Sequence, residues 1–408
     1  MRFSIGILAL LIGISSCNEQ KNTPELAEGV WRAELEVMDN EILPFNFKLT
    51  KDATGTYAMQ VMNAEEVIDV DEIKLKGDSI SIQTPVFEGY LTGTFENKSM
   101  KGVFVKESLD RVVPFTATFG EEERFPTKDR SAINISGIWE SRFSPETDEQ
   151  YMGKGIFMQE GDKVTGTFRT TTGDYRFLEG VVDADSLKLS AFDGAHAFLF
   201  TAKVTDSSMT GTFYSGNHFK EPFIAKRNDG FELPSPDSLT FMNKGYDKLA
   251  FTFPDAKGNK ISLNDERFKG KVVIVQLMGT WCPNCLDETK FLVRYLDEHK
   301  NTDLEVVGLA FESAKTEAKA FEALNRLKNR IGVTYPLLLA QYGSYDKAAA
   351  QQKLPMLNHV LSYPTTIFID KKGAVRNIHT GFNGPATGEK FEEFKRDFDA
   401  LITQLTAE

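Results

Sequence analysis

Cys282 and Cys285 stand two residues apart in the run Trp281-Cys282-Pro283-Asn284-Cys285. That spacing suits a dithiol that opens and closes one small disulfide ring, and the chemistry it supports is thiol-disulfide exchange. The apolar stretch before it, Lys271 to Met278, reads as a strand, and the amphipathic pattern from Pro283 onward reads as a helix. Cys282 then falls at a helix N-terminus, where unpaired backbone N–H groups and the helix dipole favour a thiolate. Cys282, at the solvent edge, is the expected nucleophile. Cys285, one turn further and more buried, is expected to resolve the mixed disulfide. Pro283 suits the first helical position because it has no N–H to leave unpaired there.

The competing use of such a pair is structural zinc. Closed zinc sites need four ligands, commonly from a second cysteine pair or two closely spaced histidines. With three cysteines and five scattered histidines in the chain, no metal is expected, and no organic cofactor is implied.

The elements that must position this dithiol come from a long chain. Its 408 residues exceed one ordinary domain, and 41% hydrophobic with 26% charged residues is a globular composition. A count of 32 Phe favours extensive β structure. The net charge of −12 and the lack of a basic run argue against a nucleic-acid partner.

Two stretches repeat. Gly29-Val30-Trp31 matches Gly137-Ile138-Trp139, Thr54 to Tyr57 matches Thr165 to Phe168, and Asp78 to Ile82 matches Asp185 to Leu189. Met100 to Phe104 pairs with Met209 to Phe213, and Pro114 to Ala117 with Pro222 to Ala225. Five matches in one order mark a duplicated unit. Alternating runs such as Phe45 to Leu49, split by turn clusters, predict antiparallel meanders closing into a barrel or sandwich. The Gly-x-Trp openings resemble the first strand of calycin-type barrels. Small barrels are usually filled by their own side chains, so spacing or partner docking is the expected role. After Leu239 strands and helices alternate, which predicts a helix-covered sheet. Two antiparallel all-β repeats followed by an α/β domain is the expected architecture. The expected divisions are 1–16, 17–28, 29–120, 121–136, 137–227, 228–238 and 239–408: a leader, a tether, the first repeat, a joint, the second repeat, a linker and the redox domain.

The N-terminus has Arg2, a short apolar run to Ile14, and Ser15-Ser16-Cys17. It resembles a bacterial lipoprotein signal, which implies cleavage before Cys17 and lipidation of that residue. With Cys17 lipidated, only Cys282 and Cys285 remain for disulfide chemistry, so that chemistry must be functional. The implied location is the periplasmic side of the cell envelope, on a membrane. Asn18 after Cys17, in place of an aspartate, favours the outer one.

Residues 239 to 405 resemble thioredoxin-fold domains of the TlpA and ResA type, membrane-tethered thiol:disulfide oxidoreductases. The resemblance rests on Phe268-Lys-Gly-Lys-Val-Val273, the Trp281 to Cys285 motif, Ser362-Tyr363-Pro364-Thr365-Thr366 before an apolar strand, and His379-Thr-Gly-Phe382. It implies a cis peptide before Pro364, facing the dithiol, with the Tyr363 backbone and Trp281 beside an incoming substrate strand. It also matches Glu288 to a glutamate near the family's cysteines, a proton acceptor for Cys285. Gln276 stands where thioredoxins proper place a buried aspartate, and it cannot take that proton. Protein disulfides are the implied substrates, with a membrane thiol donor supplying electrons. Oxidation or isomerisation by the same dithiol, or partner binding by the β repeats, are the alternatives. A peroxidase of the peroxiredoxin kind would need a threonine three residues before its cysteine, where this chain has Gly279.

Overall fold

The computed structural model describes residues 25–408 except 130 and 301. The leader, Cys17 and most of the tether therefore lie outside the described residues.

Each β repeat folds into a barrel-like antiparallel sheet of nine strands. In the first, neighbouring strands follow one another from Glu66–Val70 round to Glu72–Lys76, so the two edge strands are separated in sequence by Asp71 alone. In the second, Tyr151–Glu160 pairs with both Gly137–Phe143 and Lys163–Thr170, which closes the ring. The repeated tryptophans do the same work in each copy. Trp31 and Trp139 are fully buried, and their Nε1 atoms donate to the carbonyls of Ala27 (3.0 Å) and Ile135 (2.8 Å), four residues upstream in both cases.

The repeated glycines mark close strand approaches. A Cβ at Gly102 would lie 2.0 Å from the Thr92 carbonyl oxygen, and one at Gly211 would lie 2.1 Å from that of Thr201. The phenylalanines fill the interiors. Phe143, Phe168, Phe200 and Phe223 are all buried with ring centroids between 4.8 and 6.4 Å apart. Trp139→Ala is expected to cost about 3–5 kcal/mol, the usual range for emptying a large aromatic site, and to unfold the second barrel. Urea unfolding followed by near-ultraviolet circular dichroism measures it.

The charged joint between the barrels is more buried than its composition suggests. Arg124 is sunk between them and donates from Nη1 to the Ser190 carbonyl at 3.0 Å, while Phe45 of the first barrel stacks on Phe192 of the second at 4.2 Å.

The C-terminal domain has a five-stranded sheet in the order Leu337–Gln341, Leu304–Phe311, Val272–Met278, Thr365–Ile369, Val375–Thr380. The first two pairings are parallel and the last two antiparallel. Every residue of the central strand Val272–Met278 is buried, which is why it reads as an apolar run interrupted by Gln276 alone. Helices Pro283–His299 and Glu389–Ala407 pack together through Phe291, Phe394 and Phe398, with the Tyr295 hydroxyl donating to Asp399 at 2.9 Å. The apolar spacing predicts Leu286, Phe291, Leu292, Tyr295 and Leu296 as the core-facing stripe of the first of these helices, and the structure buries a different set. Cys285, Glu288, Thr289, Leu292 and Tyr295 are buried, whereas Leu286, Phe291 and Leu296 are only half-buried. Leu286 instead lines the gap toward the first barrel.

Candidate functional site

Three local features build the site. Strand Val272–Met278 ends at Gly279, the turn Thr280-Trp281 follows, and Cys282 caps the helix that opens at Pro283. The Cys282 sulfur accepts the Cys285 N–H at 3.2 Å, one of the helix-end donors that no helical carbonyl can satisfy. Both cysteines are free thiols. From the other side comes the turn before Thr365–Ile369, where the Tyr363–Pro364 peptide is cis. The Cys282 thiol lies 3.5 Å from the Tyr363 carbonyl oxygen, and the Trp281 and Tyr363 rings meet edge to face at 5.8 Å.

Behind the dithiol stands Glu288. It is buried, and its carboxylate accepts from Gln276 Nε2 at 2.8 Å and from the Thr366 hydroxyl at 2.5 Å. Burial pushes its carboxyl from the ordinary 4.5 up to about 7, against the two hydrogen bonds that pull it down. Burial also pushes the Cys285 thiol well up, and the Cys282 sulfur and the Glu288 charge push it further. Gln276 takes no proton, but it orients the group that could. Its Oε1 accepts from Thr289 while its amide holds Glu288.

Trp281, Cys282, Cys285, Glu288, Tyr363 and Pro364 thus converge on one locus. The expected exposure of Cys282 is corrected: at 7% exposure it is buried like Cys285, because the second barrel covers it. The cover comes from residues more than eighty positions away, and no local pattern announces it.

Sequence reasoning also missed Glu312, which directly follows the strand Leu304–Phe311. It is buried and accepts from Thr280 N (2.8 Å) and Oγ1 (2.7 Å), anchoring the turn that leads into Cys282. The signal available was an acidic residue directly after an apolar strand. Burial raises its carboxyl to about 7 as well. A carboxyl whose folded pKa is raised stabilises the fold below its unfolded pKa and loses that contribution as pH rises through the folded value. For Glu288 and Glu312 the window is about 4.5 to 7, and each is worth roughly 3 kcal/mol over it. The urea midpoint should therefore fall between pH 5 and pH 8, and Glu312→Gln should flatten part of that fall.

The family described as AhpC/TSA matches residues 245–378. The thioredoxin-like protein YneN of Bacillus subtilis is 30% identical over 140 residues, 34% of this chain and 73% of its own length. The chain belongs to the thioredoxin-like thiol-disulfide oxidoreductases. ResA of Bacillus thuringiensis subsp. konkukian, named a thiol-disulfide oxidoreductase, is 28% identical over 153 residues, 38% of this chain and 77% of its own. A solved thiol-disulfide oxidoreductase from Bacteroides fragilis aligns at TM-score 0.28 and 21% identity, covering 36% of this chain and 99% of its own. The oxidoreductase has no room for a threonine at 279, since a Cβ there would lie 2.4 Å from Trp281 Nε1. Among the described residues no cluster of three or more His, Cys, Asp or Glu has the arrangement of a metal site. Nor, among them, is any helix of this oxidoreductase long and apolar enough to cross a membrane.

Proposed function

We propose that the protein is an exported disulfide reductase, anchored through a lipid on Cys17 to the periplasmic side of the cell envelope, that reduces protein disulfides with the Cys282/Cys285 dithiol. Asn18 favours the outer membrane as its seat. The redox domain is taken as 239–408 and the β domains as 29–120 and 137–227.

The observation that carries this reading is the asymmetric pair. Cys282 sits at a helix N-terminus with a backbone N–H on its sulfur, and Cys285 is fully buried near a carboxyl poised at about 7. In the first step the Cys282 thiolate attacks a substrate disulfide. A bond forms from Cys282 to one substrate sulfur, the substrate S–S bond breaks, and the other sulfur leaves as a thiol after taking a proton from solvent. Cys285 then gives its proton to Glu288 and attacks the Cys282 sulfur, the bond from Cys282 to the substrate breaks, and the second substrate sulfur leaves as a thiol after taking a proton from solvent. Two electrons pass to the substrate, and the oxidised pair takes two from a thiol donor, for which a membrane thiol carrier is the fitting class. Trp281, Tyr363 and Pro364 form the surface against which the substrate strand lies.

A reductase fits better than an oxidant because the stabilisation of the reduced form that the structure shows is limited to the helix N-terminus and one backbone hydrogen bond on the Cys282 sulfur. Pro283 contributes no N–H to the Cys282 sulfur, and burial penalises a Cys285 thiolate. The test is the reduction potential of the pair, obtained by equilibrating the full chain with thiol buffers and counting free thiols. A value near or below about −250 mV is expected, and one near about −120 mV would make the protein an oxidant and overturn the direction.

A further inference from the structure

The face of a thioredoxin-like domain that surrounds its reactive cysteine is ordinarily where a partner would dock, and here it is already occupied. Residues 170–176 of the second barrel lie across it. Asn284 Nδ2 donates to the Asp174 carbonyl at 3.3 Å, the Gly384 N–H to the Asp174 carboxylate at 2.8 Å, and the Ser362 hydroxyl to the Thr172 carbonyl at 2.8 Å. Gly173 has φ +144°, and a Cβ there would lie 2.0 Å from Asn284 Nδ2, so the backbone runs directly against the dithiol motif.

The same segment is clamped from behind by Arg176, itself at φ 65°. Its guanidinium bonds Glu66 of the first barrel at 2.6 Å, pairs with Asp193 of the second at 3.5 Å, and bonds Asp287 of the dithiol helix. One buried cation thus ties all three domains together. Arg169 adds a bond to Asn383 at 2.8 Å.

What remains beside Cys282 is a cleft of about 400 Å³. Its near wall is Trp281, Cys282 and Tyr363, and its far wall is Thr172, with His196 stacked on Phe198 at 4.4 Å. That volume lies in the range that takes a small molecule or a few residues. A folded protein of standard interface size needs about 800 Å² of surface on each partner, and part of the face that would supply it, at Asn284, Ser362 and Gly384, is bonded to the barrel.

We propose that the second barrel is the far wall of the substrate site, and that the oxidoreductase acts on cystines carried in extended chain segments rather than on the surface of folded proteins. The cleft narrows the substrate to one strand threaded between Thr172 and Tyr363, so the barrel acts as a specificity filter. This rests on the reading of Cys282 as the nucleophile.

The test is single-turnover reduction by the pre-reduced full chain of three mixed disulfides sharing a thionitrobenzoate leaving group: with free cysteine, with a cysteine-containing decapeptide, and with a folded carrier bearing one surface cysteine. Each reaction converts the protein dithiol to its disulfide and releases one thionitrobenzoate and one thiol. The decapeptide is expected to react about tenfold or more faster than the folded carrier. Thr172→Trp is expected to slow the decapeptide about tenfold while changing the cysteine probe less than about threefold. Should Thr172→Trp fail to fold, Thr171→Trp puts the same question from the neighbouring lining residue. Equal rates for decapeptide and folded carrier, or a folded tryptophan variant that slows neither probe, would overturn the filter. Failure of all three probes to release thionitrobenzoate from a chain with two titratable thiols would instead sink the dithiol reading beneath it.

Discussion

Cys285→Ser is expected to turn the protein into a trap. Attack by Cys282 needs only its own sulfur, which keeps the Cys285 backbone N–H as its donor because that group belongs to the main chain. The first half-reaction therefore proceeds and one substrate thiol leaves. Resolution requires a second sulfur within reach, and a serine hydroxyl is too weak an acid and nucleophile to replace it. Turnover with a decapeptide disulfide should fall by roughly three orders of magnitude or more. A covalent adduct on Cys282 should accumulate to one equivalent, visible by mass spectrometry and cleared by added thiol. Cys282→Ser should abolish capture altogether. If Cys285→Ser captured nothing while remaining folded, or if Cys282→Ser captured as well as the parent, the assigned roles would be wrong.

Glu288→Gln is the second large effect. Cys285 is disfavoured as a thiolate by burial, so its proton must go to a nearby base during resolution. Glu288 serves only when ionised, and its carboxyl lies at about 7. The resolving rate of the parent should therefore climb between pH 6 and pH 8. The glutamine variant, which keeps the size and one acceptor oxygen, should lose that rise and run about a hundredfold slower at pH 8. Stopped-flow decay of the mixed disulfide isolates this step, because formation of the adduct does not use Glu288. The stability effect runs the other way. The parent carries a buried carboxylate at pH 8 that glutamine removes, so the variant should resist urea better there and lose its advantage at pH 5, where both side chains are neutral. A slower yet more stable protein is the signature of a functional strained group; a variant with parental kinetics and pH profile would reduce Glu288 to a packing residue.

Glu288 also shows where sequence reading stops. Its place one turn after Cys285 was legible, but an exposed helix carboxylate would have had the same spacing. What buries it is the approach of Gln276 from the central strand and Thr366 from the strand after Pro364. Gln276 read as a lost aspartate and proved to be the clamp on the glutamate. Arg124 shows the same limit, since nothing in its charged neighbourhood records that the second barrel closes over it.

The sequence by itself determined the chemistry and the local frame: the cysteine spacing, the helix start at Pro283, the apolar central strand, and the duplication marked by Trp31 and Trp139. These signals are local because helix ends, strand alternation and tight turns are set by neighbours a few residues apart. Only the tertiary structure decided that Cys282 is covered, that Arg176 binds three domains at once, and that Glu288 and Glu312 are buried deeply enough to hold their protons near neutrality. Each depends on contacts between residues far apart in the chain. Burial of a charged group is a property of what lies across from it, and no periodicity along its own strand or helix records that.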